Sequence, residues 1–161
     1  MKTVHYQMVR LGEIAHVTTG KSNVEDATET GIYPFYDRSQ VIKRSNRFLF
    51  DVPSAIIVPG EGTQFIPRIA HGKFDLHQRA YAVILREDVS AEYIYYAILN
   101  AHEYFATVAT GSTVSSLRLG MFLHMPIHLP DLPTQLRIAG VMAWSWIQHQ
   151  EAPFFCVGIA A

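Results

Sequence analysis

At 161 residues, with 49% hydrophobic and 17% charged side chains, the chain is sized for one domain with a substantial core. A formal charge of −1 excludes bulk attraction to nucleic acid, so any such role must come from local clustering of cations. The single cysteine, Cys156, excludes an internal disulfide framework. Without a signal-peptide pattern or an apolar run of membrane-spanning length, the expectation is a soluble, cytoplasmic protein with no membrane partner.

Residues 1–9 alternate loosely and meet a short apolar turn, Arg10-Leu11-Gly12-Glu13-Ile14-Ala15. A β-rich run over 16–21 follows, with a glycine at position 20. Residues 22–31 carry Glu25, Asp26 and Glu29 without helical or strand period, the mark of a surface loop. Ile32-Tyr33-Pro34-Phe35-Tyr36 predicts an aromatic edge strand, since Pro34 has no N–H for a ladder. From Arg38 to Arg47 the chain holds four cations (Arg38, Lys43, Arg44, Arg47) and no acid, interleaved with Ser39, Gln40, Ser45 and Asn46. A solvated loop uses the same residue types. The balance tips toward a binding surface because these side chains bond phosphates and base edges and stand just ahead of a second such group.

That second group decorates residues 53–86. Ala55-Ile56-Ile57-Val58 has the signature of a buried strand and runs into Pro59, Gly60 and Gly62. A second run, 65–70, breaks at Gly72, and a third spans 74–85. Three runs punctuated by glycine predict a β meander. Its turns and outward faces carry Gln64, Arg68, His71, Lys73, His77, Gln78 and Arg79 against only Glu61 and Asp75, a surface suited to nucleic acid.

Residues 91–107 form the clearest helix, with Ser90 as N-cap, Glu92 in the first turn and a stripe of Ile94, Ile98, Ala101 and Phe105. Tyr93, Tyr95 and Tyr96 are assigned to packing rather than to base stacking. Gly111-Ser112-Thr113 offers backbone N–H groups and hydroxyls at the mouth of a short helical turn over 115–121, a geometry that suits a phosphate or a simple turn equally. A last strand covers 123–129, and Pro130-Asp131-Leu132-Pro133 reads as a rigid stop. The helical pattern from Thr134 (Leu136, Ile138, Ala139, Met142) is expected to fail early, weakened by Gly140. An apolar tail follows Pro153.

No catalytic centre, metal site or cofactor is expected. His71, Asp75 and His77 lie close together but on a β segment, without the helical spacing of a zinc pair. A metal-dependent hydrolase built on those three is the alternative they leave. Gly60-Glu61-Gly62 lacks the third glycine of a dinucleotide loop, and Gly20-Lys21-Ser22 lacks the upstream glycine of a phosphate loop. Ser112 and Ser115 have no Gly-x-Ser-x-Gly elbow. Cys156 has no activating cation beside it.

Several stretches, taken in order, resemble a known family. Leu11-Gly12-Glu13-Ile14-Ala15 with Thr19-Gly20-Lys21 opens the series, followed by Ile32-Tyr33-Pro34-Phe35-Tyr36, the 55–62 strand and glycine turn, and Gly72-Lys73-Phe74 with His77-Gln78. Gly111-Ser112-Thr113 with Leu117, Met125-Pro126-Ile127 with Leu129-Pro130, and Leu132-Pro133 with Gln135, Ile138 and Ala139 close it. Together, over residues 9–142, they resemble a target recognition domain from the specificity subunit of a type I restriction–modification enzyme. The resemblance implies an α/β (α+β) domain with a twisted, mainly antiparallel sheet and packed helices. On that basis residues 1–133 are expected to form the recognition domain, and 134–161 a truncated spacer-helix region with its apolar tail. It implies double-stranded DNA as ligand, methyltransferase and restriction subunits as partners, and no enzymatic activity in this chain.

The choice of site residues rests on side-chain chemistry. Arg38, Ser39, Gln40, Lys43, Arg44 and Arg47 are expected at phosphates or a groove. Gln64, Arg68, His77, Gln78 and Arg79 suit base edges, Lys73 adds a cation beside them, and Ser112 and Thr113 would anchor a phosphate. The competing expectation is an interaction module that does not bind DNA, pairing with itself or with a second specificity chain through residues 144–161.

Overall fold

The computed structural model describes residues 5–111 and 115–149. Strand β1 (Tyr6–Arg10) leads through one helical turn, α1 (Leu11–Ile14), into β2 (Ala15–Thr19). Strands β3 (Tyr33–Tyr36), β4 (Lys43–Ser45), β5 (Phe50–Pro59), β6 (Glu61–Gly62), β7 (Arg68–Leu76) and β8 (Ala80–Leu85) follow. Helices α2 (Ala91–Leu99) and α3 (His102–Val108), strand β9 (Ser115–Ser116), helix α4 (Leu119–Leu123), strand β10 (Pro126–Pro130) and helix α5 (Leu132–His149) complete the order. The mixed α/β class with a mainly antiparallel sheet is the one expected.

The main sheet has the order β2-β8-β5-β7-β3-β4, with β3 and β7 its parallel pair. Strand β5 is therefore central and the meander is not formed: β8 pairs with β5 instead of β7. The reason lies in β5 itself, where Ala55, Ile56, Ile57 and Val58 are all buried and both edges need partners. Nor does β7 break at Gly72. That residue takes φ +65° inside the strand, opposite Val52 and beside the β5 irregularity between Val52 and Ala55, a backbone state glycine adopts without a Cβ penalty. The 74–85 run is split instead by a turn in which Ala80 N donates to His77 O (3.0 Å). Strand β3 is not an edge, because β4 lies outside it. Pro34 stands beyond the Phe35 and Tyr36 positions that pair with β7, so its missing N–H costs no ladder bond there.

Strand alternation sorts the interior into two cores. Ile56, Val58, Tyr81 and Val83 face a helical layer that includes Leu11, Ile94, Phe105 and Phe122. The alternate residues Ala55, Ile57, Ala80 and Ala82 join Tyr36, Ala70, Phe74 and Leu76 on the other face. Among the described residues, four of the eight buried in this second core are alanines, so its bulk comes from Tyr36, Ile57, Phe74 and Leu76. The chain after β2 crosses over to the end of β7: Ser22 N donates to Leu76 O (3.2 Å) and Gln78 N to Ser22 O (2.9 Å). Since β8 and β5 separate β2 from β7 in the sheet order, this link curls the sheet onto itself. Gly20 is required there, because a Cβ would lie 1.9 Å from Leu76 O.

The helical layer departs from the sequence pattern in three places. The 91–107 helix breaks at Asn100, whose side-chain and backbone N–H groups both donate to Tyr96 O (2.9 and 3.0 Å), an asparagine competing with the helical ladder. In place of a helical turn from 115, β9 pairs with β6 and α4 begins at Leu119. The third departure is α5. Asp131 does not stop the chain but caps a helix: Thr134 N donates to its Oδ1 (2.9 Å) and Gln135 N to its backbone O (2.9 Å). Pro133 falls in the first turn, where its missing N–H is harmless. Gln135 is buried; its Oε1 accepts from Ser90 N (2.9 Å) and its Nε2 donates to Pro130 O (2.8 Å), pinning α5 to the start of α2. Among the described residues, no helix is long and apolar enough to cross a membrane.

Candidate nucleic-acid interface

The curl of the sheet brings four segments together at one end: the β3–β4 turn, β6, the start of β7 and the 77–79 turn. Asp37 organises the first. Its Oδ1 accepts from Ser39 N (2.7 Å) and Ser39 Oγ (2.6 Å), and its Oδ2 from Lys43 Nζ (2.7 Å), a side chain folding its own turn. Burial pushes the Asp37 carboxyl up, but the Lys43 and Ser39 hydrogen bonds outweigh it and hold the group below the usual aspartate range. Beneath the turn lies Arg68, donating from Nη2 to Asp37 O (2.8 Å), with its guanidinium 5.2 Å from the centre of the Tyr36 ring. Its Nε and Nη1 are buried with no hydrogen-bond partner among the described residues. Burial lowers its pKa, against the pull of Tyr36 and Asp37. A guanidinium held this way supports the turn from below.

Above it, Arg38 Nη1 reaches Glu61 Oε2 (2.8 Å), and Arg79 Nη1 reaches both oxygens of the same carboxylate (3.1 and 3.2 Å). His77 is tucked behind, its Nδ1 accepting from Arg79 N (3.0 Å). Burial depresses its pKa; Asp37 and Glu61 oppose that shift, while Arg38 and Arg79 reinforce it.

A second network joins this end to the closure of the sheet. Asp75, buried on β7, accepts from Ser22 Oγ (2.8 Å to each oxygen), Ser45 Oγ (3.0 Å) and Arg47 Nε (3.4 Å). Arg47 also pairs with Asp26 (2.8 Å), and Gln78 Nε2 donates to Asn23 Oδ1. Asp37 and Ser22 are participants that the sequence does not single out. Asp75 is expected on an outward face, and strand alternation does set it on the side of His71 and Lys73, opposite Phe74 and Leu76. It is buried because the segments carrying Ser22 and Ser45 cover that face, which no local pattern signals.

Among the expected site residues, Arg38, Ser39, Lys43, Arg68, His77 and Arg79 thus gather at one end, with Arg47 and Gln78 adjoining through the second network. Lys73 stands apart, 4.7 Å over the Phe48 ring and 4.0 Å from Asp51. Gln64 lines a separate groove of about 470 Å³ with Phe65, Ile98 and Phe105. Gln40 and Arg44 are exposed, and Arg44 has no ion pair among the described residues. Ser112 and Thr113 lie outside the described residues. The segment without acids in sequence is thus largely neutralised by acids from elsewhere, namely Asp26, Asp37, Glu61 and Asp75. His71 Nδ1 lies 3.1 Å from Pro53 O, away from Asp75, and among the described residues no three His, Cys, Asp or Glu side chains gather as metal ligands.

Comparison with known proteins adds the family. Residues 3–143 match the model of the type I restriction modification DNA specificity domain. The type I restriction enzyme EcoDI specificity subunit of Escherichia coli is 30% identical over 138 residues, which is 84% of this chain and 30% of that protein. The chain therefore spans under a third of that relative. A type I restriction–modification S subunit from M. genitalium superposes with a TM-score of 0.75 at 18% identity, covering 89% of this chain and 40% of its own. The HsdS subunit of Thermoanaerobacter tengcongensis gives 0.68 at 16% identity, covering 90% and 38%.

Proposed function

The chain belongs to the type I restriction modification DNA specificity domain family, and we propose from that premise that it reads one half of a double-stranded DNA target. It has no catalytic role of its own and works in the cytoplasm, directing the methyltransferase and restriction subunits of a type I system. The observation that carries this reading is the convergence of Arg38 and Arg79 on Glu61, above the Asp37 turn that Arg68 supports. Arginines mounted on turns of a rigid sheet suit phosphate contacts and guanine edges, while a fixed scaffold sets their register. Arg38, Ser39, Gln40, Lys43, Arg44, Arg47 and Arg79 serve the backbone, Gln78 and Gln64 serve base edges, and Ser112 and Thr113 anchor a phosphate. His77, buried behind Arg79, and Arg68 hold the turns in place, and Lys73 adds a more distant cation. A binding selection from random duplexes, with and without the methyltransferase subunit, tests the reading. An enriched half-site is expected, and recovery of no duplex under either condition overturns it.

A second reading concerns assembly. Helix α5 keeps Leu136, Val141, Trp144 and Ile147 exposed, the last three at 65–69%, on the side away from Gln135 and Ala139. This apolar face suits a second helix, from another copy or from another specificity chain. Light scattering on the full chain distinguishes the two readings of α5: a monomer at all concentrations removes the homodimer.

A further inference from the structure

We propose that the Glu61 carboxylate occupies, in the free protein, the seat that a duplex phosphate takes between Arg38 and Arg79, so that DNA engages by exchanging one anion for another. The proposal rests on the DNA-reading role given above. Two guanidinium groups from segments 41 residues apart close on the two oxygens of one carboxylate, the charge-assisted geometry with which arginine also holds phosphate. The carboxylate is presented from fixed backbone. Gly60 N donates to Arg79 O (2.9 Å), Leu117 N donates to Gly60 O (2.8 Å), and Glu61 pairs with Ser116 across β6 and β9. Gly60 has no room for a side chain, as a Cβ would lie 2.6 Å from Arg79 O.

Glu61 itself is mostly covered, whereas the Arg38 and Arg79 side chains are 46% and 56% exposed. The arginines are therefore the mobile partners, able to turn from the carboxylate to an arriving phosphate. Neighbouring pairs are less suited to exchange. The Asp37 carboxylate is wrapped by Ser39 as well as Lys43, and Arg68 lies buried under the turn. The consequence is selectivity. An arbitrary duplex must displace Glu61 with backbone contacts alone, whereas a cognate site adds base contacts to the same exchange.

The test uses the 161-residue chain and a labelled random-sequence duplex, with affinity read by fluorescence anisotropy at fixed salt. Glu61→Gln is expected to tighten binding about fivefold, the scale of an exposed ion pair. Glu87→Gln, removing the same charge from an exposed position past the far end of β8, is expected to change nothing. The gain must vanish when Glu61→Gln is combined with Arg38→Ala and Arg79→Ala. Wild-type affinity in Glu61→Gln, an equal gain in Glu87→Gln, or a gain that persists without the two arginines overturns the proposal while leaving DNA binding intact. Absence of duplex binding by both wild type and Glu61→Gln overturns the DNA-reading role along with it. Glu61→Ser is expected to move in the same direction, and a thermal melt of each variant separates lost contacts from lost fold.

Discussion

Replacing Asp75 with alanine is expected to be among the most damaging single changes in the sheet. The carboxylate is 1% exposed and is the acceptor for Ser22 Oγ, Ser45 Oγ, Arg47 Nε and Leu76 N. Its removal leaves the two serine hydroxyls buried without their acceptor, since both serines are 1% exposed. Each orphaned buried hydroxyl costs about 1–3 kcal/mol, giving a combined loss of roughly 3–4 kcal/mol. Arg47 adds little, because its side chain is 57% exposed and keeps Asp26. At about 2–4 °C per kcal/mol for a chain of this size, the melting temperature falls by about 10 °C. Urea titration followed by tryptophan fluorescence and circular dichroism measures the loss. Changing Ser22 and Ser45 to alanine as well should recover more than half of it, because removing both sides of a buried hydrogen bond is far milder than removing one. A loss below about 1 kcal/mol in Asp75→Ala, or a triple variant no better than the single, refutes the reasoning.

Gly20→Ala places a Cβ 1.9 Å from Leu76 O and is expected to cost about 2 kcal/mol or more by forcing the closing segment off β7; an unchanged urea midpoint would contradict that. Arg44→Ala should weaken binding to every duplex alike and reduce the salt slope by about one unit; equal binding of variant and wild type across a salt titration removes Arg44 from the interface. Asp37 has a folded pKa below its unfolded value, so the unfolded chain binds the extra proton more readily. Its stabilisation is fully present above the ordinary aspartate pKa of about 3.9 and is lost as pH falls through the lower folded value. Melting temperatures of Asp37→Asn and wild type should therefore converge on acidification, and a gap that stays constant from pH 6 to pH 2.5 counts against it.

Much of the sheet is legible in the sequence because burial leaves a period. Ala55-Ile56-Ile57-Val58 reads as buried on both faces, and it is the central strand with a core on each side. Which strand lies beside it is not legible, since chain proximity favours a meander while the need to cover both edges of β5 places β8 across from β7. The candidate site shows the same division. Side-chain types mark Arg38 and Arg79, but the acids that hold the local cations come from positions 23 residues away for Arg38 and 28 for Arg47, and no local pattern couples them. Helix α5 shows why propensity alone misleads. Gly140 costs the helix about 1 kcal/mol, yet the inner face gains the two Gln135 hydrogen bonds and the packing of Ala139, Met142 and Trp146 on the core. Tertiary contacts of that kind decide most helices in folded proteins. They also explain the apolar excess that breaks a simple helical pattern: one face of α5 serves this domain, while Leu136, Trp144 and Ile147 on the other remain exposed.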